Sequence, residues 1–428
     1  EQYLVERAQA LPGVTLCWKN KVVGIEQGAD GARLQVQGPE GDYVLQADWV
    51  IAADGARSPL RKMLGLDAEG KVFNDRFLIA DVSMHAQFPA ERWFWFDPPF
   101  HPGQSVLLHR QADDVWRIDF QLGAGADPEV ERQPERVIPR IRAMLDHQGY
   151  RDVAFDLEWV SVYTFQCRRM RSFRAGRVLF AGDAAHQVSP FGARGANSGL
   201  QDVDNLAWKL ALVMRGQAPQ SLLDSYDAER GAAADDNIGH STRATDFITP
   251  KTDAARRYRE ATLQLASHHA FAQALVNSGR LSTPTHLWSS PLNTTDRDAF
   301  DCVMRPGSPL EDAPVERDGR PDWLLRHTGG EFCLLLFTDR VDSLRDSLDA
   351  LRELGDGALA PRILVVAEQP GQLAQARVLH DAQHLAAERC DAQDGTAYLI
   401  RPDQHVAARW RRLDVAAVRA AIARATGH

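Results

Sequence analysis

The chain has 428 residues, 44% hydrophobic and 25% charged, with a net charge of -9, a size that allows two to four domains. Its acidic balance gives no support to nucleic-acid binding, which needs a basic face, and no apolar run approaches the ~18 residues of a membrane helix. The five cysteines (Cys17, Cys167, Cys302, Cys333, Cys390) form no C-x-x-C pair; this argues against a disulfide framework or a zinc site and for reduced thiols in a cytoplasmic protein.

The chain opens inside a helical pattern over residues 1–12, at Glu1 and not at Met, which predicts an incomplete chain. Alternating strands are predicted at Val14–Trp18, Val22–Gln27, Ala32–Gln37 and Tyr43–Ala47. The intervening Gly- and Asp-rich turns make them a β-meander. It ends in the buried run 49–53, which stops at Asp54-Gly55. A second strand-rich module holds Phe77–Val82, Trp93–Phe96, Ser105–His109 and Trp116–Leu122, followed by a helix over 134–149 and a strand pair over 155–165. The short basic cluster Arg168, Arg169, Arg171 reads first as solvated surface and second as an anion site.

A buried strand at 177–181 then runs into Gly182-Asp183. The helix after it has Leu200, Val203, Leu206, Leu210, Val213 and Met214 at helical spacing, and Gly216 marks its stop. Helices at 221–245 and 253–278 precede a Pro- and Ser-rich connection at 281–321. Beyond it come strand 332–338, helix 341–354, strand 362–367, helix 370–380, a hairpin of 397–401 and 406–410, and helix 415–426. Alternating β and α elements closed by a hairpin make a small separate α/β domain.

Two strings carry chemistry. In the first, Val178–Ala181 ends in Gly182, where a ligand can approach the backbone, and in Asp183, a carboxylate placed to accept hydrogen bonds from sugar-like hydroxyls. The loop from Pro190 through Gly195, Ala196 and Asn197 enters a helix, whose free N–H groups and dipole attract negative charge. In the second, Ala53-Asp54-Gly55-Ala56-Arg57 leads into Ser58-Pro59, an N-cap and first helical position, and then Arg61. Alone it reads as a capped helix start; beside the first string, two carboxylate-bearing strand ends suit one extended ligand.

Together these residues resemble the FAD-dependent aromatic hydroxylases, single-component flavoprotein monooxygenases without a separate NADPH domain. The likeness is greatest to hydroxyphenylpropionate-type and polyketide-type members with a C-terminal thioredoxin-like domain. Asp54, Gly55, Arg57, Ser58 and Arg61 match the string near the FAD pyrophosphate, which is also implicated in nicotinamide use. Gly182, Asp183 and His186 match the string whose Asp meets the ribityl and ribose region. Pro190, Gly195, Ala196 and Asn197 match the loop facing the flavin N1–C2=O edge. The resemblance implies FAD as cofactor, NADH or NADPH and O2 as co-substrates, a small aromatic substrate hydroxylated through a flavin hydroperoxide, and the family habit of dimerising.

It also implies a mixed α/β fold: a Rossmann-like FAD-binding domain at 1–71 and 166–280, an inserted β-sheet substrate domain at 72–165, a linker at 281–321 and a thioredoxin-like domain at 322–428. That last domain lacks C-x-x-C, so disulfide exchange is not expected of it. The G-x-G-x-x-G fingerprint is missing. The letters occur at 355–360, but after a helix and before Pro361, the wrong context. By the size of a βαβ unit, about a hundred residues of the family pattern would precede Glu1. Trp93, Phe94, Trp95, Phe96 and Phe100 serve as core packing or as pocket walls, and His186 fits a proton relay or a structural role. No catalytic acid or base is named. A flavin-dependent reductase of the same fold and a non-catalytic flavoprotein or scaffold are the alternative readings.

Overall fold

The computed structural model describes residues 2–191, 194–276, 284–344, 354, 359–374 and 376–428. The opening helix α1 (Gln2–Gln9) buries no residue. Val14–Trp18, predicted as a strand, is irregular and unpaired. β-Branched content alone does not make a strand when no neighbouring strand, among the described residues, continues its ladder. The meander follows as β1 (Lys21–Gln27), β2 (Ala32–Gly38) and β3 (Gly41–Ala47), a sheet of its own. Strand β4 (Val50–Ala52) lies outside that sheet and leads to α2 (Pro59–Met63).

The middle of the chain is β5 (Ala68–Met84), β6 (Trp93–Phe96), β7 (Ser105–Arg110), β8 (Val115–Leu122), α3 (Pro128–Glu131), α4 (Pro134–His147) and β9 (Phe155–Met170). Where a strand pair was predicted over 155–165, β9 is a single strand of 16 residues. It pairs with the whole length of β5 and carries the sheet toward the first chemical string. Gly70 makes the long pairing possible: at φ +144°, a Cβ there would fall 2.2 Å from the Cys167 carbonyl oxygen. One face of this sheet packs on α4 through Val137, Ile141, Met144 and Leu145.

β10 (Arg174–Ala175), β11 (Val178–Phe180) and β12 (His186–Gln187) lead into the long helices α5 (Gly195–Met214) and α6 (Leu222–Ile248). α7 (Asp253–Ala266) and α8 (Ala270–Val276) replace the single helix expected there. The buried face of α5 is not the one its apolar spacing predicts: Leu200 and Val203 are 66% and 50% exposed, while Ser198, Asp202, Asn205 and Lys209 are buried with Leu206 and Leu210.

The seven-stranded C-terminal sheet has the order β14-β13-β17-β16-β15-β18-β19. Its strands are β13 (Pro314–Arg317), β14 (Arg320–Trp323), β15 (Cys333–Thr338), β16 (Arg362–Ala367), β17 (Arg377–His380), β18 (Ala397–Ile400) and β19 (Val406–Trp410). β13 and β14, expected inside an irregular connection, form a hairpin of this sheet. Within the predicted helix 370–380, Arg377–His380 is a strand parallel to β16, because Val378 and Leu379 fit a buried sheet position better than a helix face. Of the helix predicted at 341–354, residues 341–344 form a short 3-10 turn and 345–353 lie outside the described residues, as does 355–358 of the G-x-G-x-x-G letters. The final helix covers Val415–Ala425. One face of the sheet packs against Trp208, Leu212 and Leu222 of α5 and α6.

Candidate functional site

The two chemical strings meet because β4 and β11 pair in parallel, with Val50 opposite Val178 and Ala52 opposite Phe180. Their C-terminal ends therefore lie side by side, and the Ala181 N–H donates to the Ala52 carbonyl at 3.1 Å. Open α/β sheets bind ligands at this end. Asp54 is exposed and accepts the Leu60 N–H at 3.0 Å, while the Ser58 hydroxyl accepts the Arg61 N–H at 3.0 Å, the cap that the sequence predicts. Gly55 takes φ +81° and Arg57 is exposed beside it. Arg61 is buried and ties the strings together, donating to the carbonyls of Ala184 at 2.7 Å and Ala56 at 2.8 Å.

Gly182 has φ +59° and lies against the start of α5; a Cβ on Gly199 would come 3.3 Å from its Cα. This close approach lets the start of α5 pack directly on the strand end, where a side chain would intrude. Asp183 is exposed at the strand end. Crowding there pushes its carboxyl above the usual range, partly offset by His186. Pro190, Ala196 and Asn197 are exposed, and Gly195 is half-buried. α5 begins here with no side-chain cap, so its first N–H groups and the positive end of its dipole face outward. The residues present fit an extended dinucleotide: a carboxylate for hydroxyls, a glycine contact for close passage and an uncapped helix start for negative charge.

His186 is turned inward. Its Nε2 bonds Asp202 at 2.7 Å, its ring stacks on Phe173 with centroids 5.6 Å apart, and Nδ1 is buried without a partner among the described residues. Asp202 also accepts the Gly182 N–H at 2.9 Å and Arg230 Nε at 2.7 Å. Burial alone would raise the Asp202 carboxyl, but His186 and Arg230 outweigh it and hold it low. Sequence reading missed Asp202 and Arg230. The available signal was the polar stripe Ser198, Asp202, Asn205, Lys209, which has the same helical spacing as an apolar one.

Of the aromatic candidates, alternation sends Trp93 and Trp95 to the α4 face of the sheet, with Phe100, where they serve as core packing. Phe94 and Phe96 lie on the opposite face, in a cluster with Phe77, Phe165 and Phe191. Phe191, which follows Pro190, is 5.1 Å from Phe77 and 5.3 Å from Phe165, ring to ring. The basic cluster is ion-paired: Arg168 with Asp67, Arg169 with Asp235 at 2.5 Å and Arg171 with Glu69 at 2.5 Å. Burial pushes the Cys333 thiol up to about 12, so it carries no thiolate near neutral pH.

Residues 1–241 match the family model described as an FAD binding domain. The chain is 34% identical to the 3-(3-hydroxy-phenyl)propionate/3-hydroxycinnamic acid hydroxylase of Mycolicibacterium smegmatis, across 59% of this chain and 44% of that protein. It is 28% identical to the corresponding hydroxylase 2 of Burkholderia vietnamiensis, across 98% of this chain and 77% of that protein. The alignments thus span less than half of one relative and about three quarters of the other. The crystal structure of the flavin-dependent monooxygenase PieE, in complex with FAD and substrate, superposes with a TM-score of 0.75 over 95% of this chain and 75% of that one. At 24% identity this likeness is one of fold. Among the described residues no helix is long and apolar enough to cross a membrane.

Proposed function

Because this chain belongs to the FAD-dependent aromatic hydroxylase family, we propose that it holds FAD and hydroxylates a phenolic substrate with NADH or NADPH and O2 as co-substrates. The observation that carries this reading is the parallel pairing of β4 with β11, which sets Asp54-Gly55 and Gly182-Asp183 side by side below the uncapped start of α5. Bound FAD supplies the redox chemistry, taking hydride from the nicotinamide and activating O2.

The chain's own groups position and protect. Asp183 would accept hydrogen bonds from the ribityl and ribose hydroxyls of bound FAD. Arg57 would meet the pyrophosphate, with Asp54 fixing the turn that presents it. The N–H groups of Gly195, Ala196 and Asn197 stabilise negative charge on the flavin N1–C2=O edge. Asp202 supports Gly182 and His186 from behind, a structural role that places both motif ends. Phe77, Phe165 and Phe191 form an apolar wall between this loop and the substrate sheet and exclude water from the reacting space.

The relatives' names make phenolic acids the first substrates to test. The test is the absorbance spectrum of the purified protein with added FAD, followed by NAD(P)H oxidation with a panel that includes 3-(3-hydroxyphenyl)propionate. Flavin bands that bleach faster with a phenol present, with stoichiometric hydroxylated product, support the proposal. A protein that takes up no FAD, or whose NAD(P)H oxidation no phenol stimulates, refutes it.

A further inference from the structure

Buried carboxylates in folded proteins are nearly always paired or hydrogen-bonded. On the substrate sheet one is not. Asp119 sits on β8 between Ile79 of β5 and Leu107 of β7, and is 8% exposed. Among the described residues its Oδ1 is buried without any partner. Two groups near it are also open: Arg92 Nε and His109 Nδ1 are buried and unpartnered. Arg117 is committed elsewhere, to a two-pronged pair with Asp81 at 2.7 Å for both bonds.

The location gives this gap a meaning. Residues opposite one another in a sheet share a face, so Asp119 projects in the row of Phe94, Leu107, Ile79 and Ser161. The next row holds Phe77, whose ring touches Phe191 of the loop before α5. Asp119 is thus one row of side chains away from the aromatic wall of the proposed flavin site.

We infer that Asp119 is the acceptor for the hydroxyl of an aromatic substrate whose ring lies against Phe94 and Ile79, the partly exposed members of its row. This rests on the hydroxylase reading of the same site. The surroundings select the donor. Arg92, before β6, and Arg117, on β8, disfavour an ammonium group beside them; Asp81, on β5, and Asp119 itself disfavour a second carboxylate. His109, on β7, is held neutral by burial and by the two arginines, its ring pushed down to about 4. A neutral O–H donor on an apolar ring is the chemistry left. Burial pushes the Asp119 carboxyl up to about 6 against the pull of Arg117 and Arg92, which makes its ionised form a stronger base than an ordinary carboxylate yet still present at neutral pH. The proton moves from the phenol oxygen to Asp119, the O–H bond breaking as the carboxyl O–H forms. The electron pair stays on the phenol oxygen and enriches the ring.

The test uses 3-methylphenol, whose hydroxyl, like that of Tyr at ~10, stays protonated throughout the range, and toluene as the same ring without a hydroxyl. Binding of each is measured from pH 5 to 8 on the FAD-supplemented full chain and on Asp119→Asn, with circular dichroism confirming the fold. For the original protein, 3-methylphenol affinity is expected to rise about tenfold as pH passes about 6, the scale of a hydrogen bond to a charged group. In Asp119→Asn that rise disappears and toluene binding stays unchanged. No pH dependence in the original protein, equal binding by both proteins, or equal loss of both probes overturns the inference, and the first of these needs no variant. If phenol-stimulated NAD(P)H oxidation is present and equal in both proteins, the hydroxylase reading stands and Asp119 is not the acceptor. If the pH-dependent phenol binding is present while no phenol stimulates oxidation, the acceptor stands and the hydroxylase reading falls.

Discussion

Two of the buried charge clusters among the described residues are built on opposite terms. The first joins α5, α6 and the C-terminal hairpin. Arg401 donates to Glu229 at 2.6 and 2.9 Å and to Asp403 at 3.0 and 2.5 Å. Lys209 donates to Glu229 at 2.6 Å and to Asn205 at 2.9 Å, and Asn205 bridges Glu229 and Asp403 at 2.8 and 3.0 Å. Ser290 adds a further bond to Glu229. Two cations face two anions, and none of these polar atoms is left without a partner. The second cluster, Asp119 with Arg92 and His109 on the sheet of β5 to β9, leaves three buried atoms without a partner among the described residues. A closed network fixes one arrangement of its parts; an open one is completed only by something that enters.

The contrast breaks most sharply at Arg401. Arg401→Met leaves two buried anions, Glu229 and Asp403, facing the single cation Lys209 and is expected to cost about 3–5 kcal/mol, read as a lower urea midpoint. The loss should couple to Glu229→Gln in a double-mutant cycle, since both act in one network. A destabilisation under about 1 kcal/mol would mean that water already reaches this interface.

Asp119→Asn should do the reverse. An acid whose folded pKa is raised destabilises the fold once pH climbs above its unfolded value. Removing Asp119 is therefore expected to stabilise the protein at pH 8, with the shift from about 3.9 to about 6 setting an upper bound of about 3 kcal/mol. The gain should shrink as pH falls from 6 and vanish below about pH 4. Denaturation curves at pH 8 and pH 4 check it, and an Asn variant that is less stable at pH 8 would show that Asp119 is satisfied in the free protein.

Acid titration of the unsubstituted protein sharpens the same comparison. Burial raises Glu229, but Arg401 and Lys209 outweigh it and hold its carboxyl well below the ordinary range. Its contribution is complete above the unfolded value and should be lost as pH falls below about 4.3. Stability is expected to turn down there in the original protein but to lose most of that downturn in Glu229→Gln.

The smaller effects lie at the cofactor strings, which are open to solvent. Gly199→Ala presses a methyl against Gly182 at 3.3 Å and is expected to cost about 1 kcal/mol and to weaken FAD retention. Arg57→Ala should change stability by less than about 0.5 kcal/mol while reducing FAD retention, measured as flavin absorbance after gel filtration. An Arg57 variant that keeps its flavin would remove Arg57 from the pyrophosphate side.

Much of the site was legible because its signals are local. Gly182-Asp183, the Ser58-Pro59 cap and the Gly-rich entry to α5 each need only a few neighbouring residues to define a strand end or a helix start. The strand assignments held wherever alternation was strong and a partner followed closely, as in β1, β2 and β3. The strand assignment failed at Val14–Trp18, which has no partner strand among the described residues, and the helix assignment failed at Arg377–His380, where a parallel neighbour overrode it.

Local residue patterns mark where chemistry could occur: two carboxylate-bearing strand ends, one helix start rich in small residues and an apolar, strand-rich middle. Which face of α5 is buried and which charges are satisfied follow from packing between distant segments. Glu229 and Arg401 are 172 residues apart, and Asn205 and Asp403 are 198 apart. The reason is that a charge inside a protein is tolerated by virtue of its partners, and those partners arrive from distant segments. Lys209 and Asp119 look alike in the sequence, each a charge among apolar neighbours; packing closes the first and leaves the second open.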